Sequence, residues 1–429
     1  MTDRSQDLYS KFLLIWIGQF ISIIGTGLTI FSLGVYVYQQ TNTASSYVFI
    51  LICALLPPML LKPYGGVLAD RHDRRLMMVF GDLGATLGLL FIFIMMLNGN
   101  IELWHIYLGI SISSIFSAFQ EPAYKALVTD LLPETQYAKA SGLMQLASSA
   151  QYLISPFLAG LLLSVIDIKF IFLIDISTLL ISSSIVIWVR NILGSITIKH
   201  PEQNIMADLR EGIQEFSKSK GVVHLVITTM LVLFFVGLLQ SLIIPMLLNL
   251  TTVKIVGISQ SICASGIILG SLFIGVFGSK HKHVIILSIS LFLSGIFFAG
   301  LGLSTDIVLI TLAGFLFFAT LPFINTSIEV LIRKNIENRK QGRVWSIISM
   351  VTYLGSVIAF AVAGFLADHI FNPLLKADGL LAETAGSIIG VGEGRGIALM
   401  FVISGVMISI ISLFIRQNKK IKGLEDAAM

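Results

Sequence analysis

An all-helical membrane protein of twelve spans, arranged as two bundles of six, is the fold class this sequence predicts, and three observations predict it. Of 429 residues, 55% are hydrophobic and only 12% charged, with a mean hydropathy of +0.91; an average soluble domain is roughly 25% charged. A soluble globule cannot hide so much apolar surface. Residues 225–249, 284–303 and 396–415 carry no charge at all, and each is close to the ~20 residues a helix needs to cross ~30 Å of hydrocarbon. The charges collect in short connections between such runs, and the longest connection falls midway along the chain.

The N-terminal MTDRSQDLYSKF runs directly into an apolar segment without a small-residue cleavage site, so the first run is expected to stay as helix one and not to leave as a signal peptide. Spans then follow near 12–38, 45–68, 76–97, 103–126, 138–164 and 169–189. After a connection of about 190–221 come 222–249, 255–278, 283–303, 307–331, 343–369 and 396–415. The expected domains are an N-terminal six-helix bundle (1–190), a cytoplasmic connecting loop (191–221), and a C-terminal six-helix bundle with a short cytoplasmic tail (222–429). Within the connection, Ile205, Leu209, Ile213 and Phe216 share one helical face, which predicts a short amphipathic helix against the membrane or the bundle.

An even span count puts both termini on one side. Assigning that side to the cytoplasm leaves only Lys169, Lys254, Lys376 and Arg395 outside, and places 24 of the 28 Lys and Arg residues inside, as the positive-inside rule requires. The expected location is therefore the inner (cell) membrane. The net charge of +4 comes from loop residues that orient the chain in the bilayer, and calls for no nucleic acid. Cys53 and Cys263 both lie in apolar segments with no disulfide framework. The histidines form no ligand-spaced pair, so neither a metal site nor a cofactor is expected.

The halves look related. SGLMQLASSAQYLISPFLAGLLLSVI from Ser141 and WSIISMVTYLGSVIAFAVAGFLADHI from Trp345 are both rich in small residues and share an Ala-Gly pair, at an offset of 204. GVLADRHDRR from Gly66 has a fainter echo in GVFGSKHKHV from Gly275, at an offset of 209. Two six-helix repeats around a central cavity is a common plan of secondary transporters.

Five charges in the six residues DRHDRR (70–75) interrupt the apolar sequence between spans two and three. The pattern Gly66-x-x-x-Asp70-Arg71-x-Asp73-Arg74-Arg75 resembles the signature loop of the major facilitator superfamily, and the span layout resembles that family over essentially the whole chain. Asp73 departs from the usual glycine, as it does in macrolide-efflux-like members. IWIGQFISIIG, EPAYKALVTDLLPE, IFLIDISTLLISS and QGRVWSIISM are similar to the same branch. The resemblance implies a conformational latch formed by Gly66, Asp70, Arg71, Arg74, Asp130 and Gly342. Gly66 would allow close helix approach, Asp70 would face the N–H groups at the start of span eleven near Gly342, and Arg74 would reach Asp130. In the family such contacts hold the halves together when the cavity opens outward.

An ionisable group in mid-bilayer costs roughly 2.5–3.5 kcal/mol by insertion scales, so each needs a reason. Asp175 in span six, which recurs in the efflux branch, and Glu121 before Pro122 are the candidates for proton coupling, with a structural hydrogen-bonding role as the alternative for Asp175. Asp82 and Glu329 are read as interfacial. Gln19, Gln145, Gln151, Gln240 and Asn325 are the candidates for lining a substrate cavity, and Pro57-Pro58, Pro156, Pro245 and Pro322 for helix breaks. Where many drug–proton antiporters carry an arginine in span four, this chain has Ser113. Gly390-x-Gly392-x-Gly394-Arg395-Gly396 imitates a phosphate cradle, but no strand precedes it; it is assigned to a flexible outer loop (370–395).

The expected activity is export of a small amphipathic compound, macrolide-like, in exchange for protons, by a monomer in the lipid bilayer. Proton coupling is expected because no nucleotide-binding motif is present to supply ATP. A lysophospholipid or siderophore transporter of the same fold is the nearest alternative. A membrane sensor or enzyme is the alternative from another class, opposed by the lack of a paired catalytic constellation.

Overall fold

The structure, a computed structural model, describes residues 3–99, 101–194, 213, 214, 216, 217, 219–277, 282–336 and 341–426. Among the described residues there is no strand, and twelve long helices carry the chain: α1 Asp3–Thr41, α2 Ala44–Arg71, α3 Arg74–Leu97, α4 Leu103–Leu131, α5 Tyr137–Leu162, α6 Ile168–Leu193, α7 Lys220–Leu248, α8 Val253–Phe277, α9 His283–Leu303, α10 Ile307–Lys334, α11 Gln341–Phe365 and α12 Arg395–Gln417. Helices are what a hydrocarbon solvent allows, because each satisfies its own backbone polar groups. Ten of them are long and apolar enough to cross a membrane. The other two, α4 and α5, have 29 and 26 residues, but their sequences are interrupted by Ser111, Ser114, Gln120 and by Gln145, Ser148, Gln151.

Carboxylates start several helices. Asp73, Asp167 and Asp306 precede α3, α6 and α10, and each accepts from the N–H two residues on, at 3.1, 2.9 and 2.7 Å; this satisfies donors that no helical turn can reach. Pro122, Pro156, Pro245 and Pro322 lie inside helices, and α2 runs through Pro57-Pro58 without interruption. None of these prolines ends its helix.

Two compact units form. One comprises Met1–Asn42, Phe49–Pro201 and Val253–Ile258; the other comprises Thr43–Val48, Glu202–Thr252 and Ser259–Met429. The first turn of α2 thus belongs to the second unit, and the first turn of α8 to the first. In the first unit α1 packs on α5 and α6, and α3 on α4 and α6. In the second, α7 packs on α11 and α9 packs on α10 and α12, so the pairs α1–α5, α3–α4 and α3–α6 recur as α7–α11, α9–α10 and α9–α12. The helix expected within residues 205–216 lies outside the described residues except at 213, 214 and 216, which are helical.

Small residues set these crossings. A Cβ on Gly88 of α3 would overlap the carbonyl oxygen of Gly109 on α4, and Gly295 and Gly405 oppose each other in the same way where α9 crosses α12. Close backbone approach of this kind substitutes for the hydrophobic effect, which is absent between helices in lipid. Gly88→Leu is expected to cost about 1–3 kcal/mol through overpacking, read as a lowered unfolding midpoint in detergent.

The segment after α11 corrects one expectation. It is folded, with a π-helical turn at Leu366–Phe371, helical turns at Asn372–Leu374 and Ala385–Ile389, and Gly390, Gly392 and Gly394 at positive φ. Arg395, only 3% exposed, donates to the carbonyls of Gly302 (3.1 Å), Ser304 (3.3 Å) and Ile389. Its guanidinium is committed to the unsatisfied end of α9, so the glycine-rich stretch is a helix staple and not a flexible loop. The expected tail also ends in structure, since Lys419–Asp426 forms α13 against α7 with Ile421 and Leu424 buried.

Candidate functional site

The charged loop between α2 and α3 is organised by Asp73, the residue that departs from the family pattern. Besides capping α3, its carboxylate accepts from Arg75 Nε at 3.2 Å and from Arg190 Nε, at the end of α6, at 2.9 Å. Arg75 is 1% exposed and also donates to the carbonyl of Gly194 at 2.7 Å. Arg74 donates to Asp130 and to the Ala126 carbonyl, both at 2.7 Å. All these groups belong to the first unit. The Arg74–Asp130 pair ties α3 to α4 within that unit.

Gly66 is corrected too. A Cβ there would meet nothing within 4 Å among the described residues, whereas one on Gly65 would lie 2.5 Å from the Ala118 carbonyl oxygen; Gly65 makes the close approach to α4. Arg71 is exposed. The side chain of Asp70 and the surroundings of Gly342 lie outside the described residues.

Deeper in the same unit, four helices bring polar groups together. Gln19 on α1 donates to Asp82 on α3 (3.2 Å) and to Ser182 on α6 (2.7 Å); Ser182 in turn donates to Asp82 (3.1 Å), and Gln120 on α4 donates to the side-chain amide oxygen of Gln19. Gln19 is 2% exposed. Its amide is spent inside the bundle, so it lines no open cavity. Asp82 is likewise buried and not interfacial. It lies eight residues into α3, about 12 Å from its start at 1.5 Å per residue. At the offset of 209, the second repeat has the fully buried Leu291 in its place.

Asp175 is 0% exposed on α6. Its Oδ1 accepts from Thr26 on α1 at 3.3 Å, the Thr29 hydroxyl one turn along α1 also faces the carboxylate, and Oδ2 makes no hydrogen bond of ordinary geometry among the described residues. Gly25 makes room for it, since a Cβ there would stand 3.0 Å from Oδ1. Neither Asp82 nor Asp175 has an ion-pair partner among the described residues. Asp175, Ser182 and Arg190 fall seven and eight residues apart, so they share one face of α6 and string the isolated carboxylate, the Asp82 network and the Asp73 pair along a single helix.

The remaining candidates are scattered. Glu121 sits between Lys62 (2.6 Å) and Lys125 (2.7 Å), so two ammonium groups already compensate its charge. Glu329 pairs with Arg333 one turn on. Gln145, Gln240 and Asn325 are exposed, and Gln151 is half-buried beside Gly27. Ser113 backs onto Gly88 at the α3–α4 crossing.

Comparison with known proteins comes to the same architecture from outside. A family profile described as Major Facilitator Superfamily matches residues 15–259. Macrolide efflux protein A of Streptococcus pyogenes is 29% identical over 84% of this chain and 90% of its own length. Quinolone resistance protein NorA of Staphylococcus aureus (strain COL) is 25% identical over 86% and 93%. Among solved structures, a bacterial homologue of the iron transporter ferroportin superposes with a TM-score of 0.70 at 13% identity, covering 96% of this chain and 99% of the other. A bacterial homologue of the lysosomal transporter Spinster gives 0.68 at 13% identity, covering 100% and 98%.

Proposed function

The chain belongs to the Major Facilitator Superfamily, and from that premise we propose that it exports an amphipathic, macrolide-like compound across the cell membrane in exchange for protons. It is a transporter and not an enzyme. The substrate class is supported by the relatives named for macrolide efflux and quinolone resistance. Exposed Gln145, Gln240 and Asn325 on otherwise apolar helices are costly against lipid and suited to hydrogen-bonding such a ligand.

The observation that carries the coupling is Asp175. A fully buried carboxylate faced only by threonine hydroxyls, with no cation at hand among the described residues, is expensive to hold as an ion. Taking up and giving up a proton is the chemistry such a group offers. The Asp82–Gln19–Ser182 network and the Asp73–Arg190 pair continue along the same face of α6 and supply polar steps toward its far end. In this reading the protein works as a monomer with both termini in the cytoplasm. Asp70, at the end of α2, and the N–H groups at the start of α11 around Gly342 are assigned to the change of state.

Purified protein in liposomes with an imposed pH gradient is expected to concentrate a radiolabelled macrolide, and a protonophore should abolish the accumulation. Accumulation that survives collapse of the gradient would remove proton antiport. Failure to move the macrolide in the presence of the gradient would remove the substrate class.

A further inference from the structure

The Ala-Gly pairs that mark the sequence repeat, Ala159-Gly160 and Ala363-Gly364, occupy equivalent places in the structure. A Cβ on Gly160 of α5 would stand 3.0 Å from the Val253 carbonyl oxygen and 3.2 Å from Gly257 Cα, at the first turn of α8. A Cβ on Gly364 of α11 would stand 2.5 Å from Ser45 Cα, at the first turn of α2. Val253 and Ala44, which open these two helices, are related by the same offset of 209 that relates the loop echo. Each repeat therefore seats the beginning of a helix on a glycine of another.

The two seats differ in chemistry. Beyond Gly364 the chain enters the π-helical turn Leu366–Phe371, which carries Asp368. Its carboxylate accepts from the Ala44 N–H (3.0 Å), the Ser45 N–H (2.8 Å) and the Ser45 hydroxyl (2.6 Å). This is a carboxylate placed on the free N–H groups and positive dipole end of α2, delivered from 323 residues away. The equivalent position in the other repeat is Ser164, whose hydroxyl turns back to the Leu161 carbonyl at 2.6 Å. That seat has packing alone.

We infer that Asp368 is a positioning residue for transport: its cap on Ala44 and Ser45 is a clasp that forms and parts as the protein changes state. The argument is mechanical. α2 is one uninterrupted helix, yet Thr43–Val48 belongs to the second unit and the rest to the first. A continuous helix transmits displacement along its axis, so any rotation of one unit against the other has to bend α2 just past Val48 or release its first turn from Asp368. A directional contact of three hydrogen bonds lets go at a defined geometry, as a two-state element should, and π-helical turns recur at such sites.

The test uses the full-length protein with Cys53→Ala and Cys263→Ala, carrying Ser45→Cys and Asp368→Cys, in the macrolide liposome assay; this arm rests on the export reading. Reduced protein, which lacks the Asp368 carboxylate, should transport more slowly than the cysteine-free protein that retains Asp368; oxidised protein should transport at least tenfold less again, and reductant should restore the reduced rate. Equal transport in both redox states would overturn the clasp, because a merely structural contact can be locked at no cost. The cysteine-free protein that retains Asp368 tests the export reading: absence of transport there would speak against that reading, and a substrate-free arm then decides the clasp. With spin labels at Gln40 and Leu380, both exposed, Asp368→Asn should at least double the population at the longer separation. An unchanged distance distribution would overturn the inference.

Discussion

Asp175→Asn is expected to reduce gradient-driven accumulation of substrate more than tenfold while leaving exchange of labelled for unlabelled substrate near the starting rate. Asparagine keeps the size of the side chain and an acceptor for Thr26, which now lies 3.3 Å away, so packing at Gly25 is preserved. What it removes is the ability to alternate between neutral and charged. Exchange needs only binding and reorientation, whereas accumulation needs a coupled proton, so the two assays separate a carrier from a structural bridge. If accumulation in Asp175→Asn liposomes matches that of the unaltered protein, the hydrogen-bonding role suffices and coupling lies elsewhere.

The second large effect concerns stability. Asp73→Gly restores the residue usual in the family and, on this geometry, should cost about 3–5 kcal/mol, because removing one member of a buried pair leaves the other uncompensated. The stranded member is Arg75, 1% exposed, and α3 loses its cap in the same step. Arg190, whose side chain is 29% exposed, can turn to water, so Arg190→Ala should cost only about 1 kcal/mol. The double variant is expected to be no worse than Asp73→Gly alone. Unfolding midpoints of the four proteins in one detergent measure this directly, and fully additive losses would show that Asp73 and Arg190 act independently.

The membrane itself made most of the fold legible. Hydrocarbon thickness fixes helix length, and the end of α9 at Leu303 or the start of α4 at Leu103 follows from where polar residues resume. The loop motif likewise pointed to Arg74 and Asp130, which stand 2.7 Å apart. Rotation about each helix axis was not legible. A helix apolar all round has little amphipathic signal, so the sequence around Gln19 or Asp82 does not tell a lipid-facing side from one buried in the bundle. Gln19 consequently reads as a cavity residue and Asp82 as an interfacial one, when both are sealed inside. Arg190 is 117 residues from Asp73 and shares no motif with it. For Asp73 a signal was available, an acidic residue immediately before a helix start, and the family pattern drew attention away from it. Adjacent glycines posed the same difficulty: Gly65 and Gly66 are equivalent to any composition argument, and only one meets a neighbouring backbone.

Among the described residues the two buried carboxylates, Asp82 and Asp175, reside in one repeat, and Leu291 fills the place in the other where Asp82 would recur. On the proposed proton antiport, these two groups set a ceiling of two protons per turnover, both carried in the first unit.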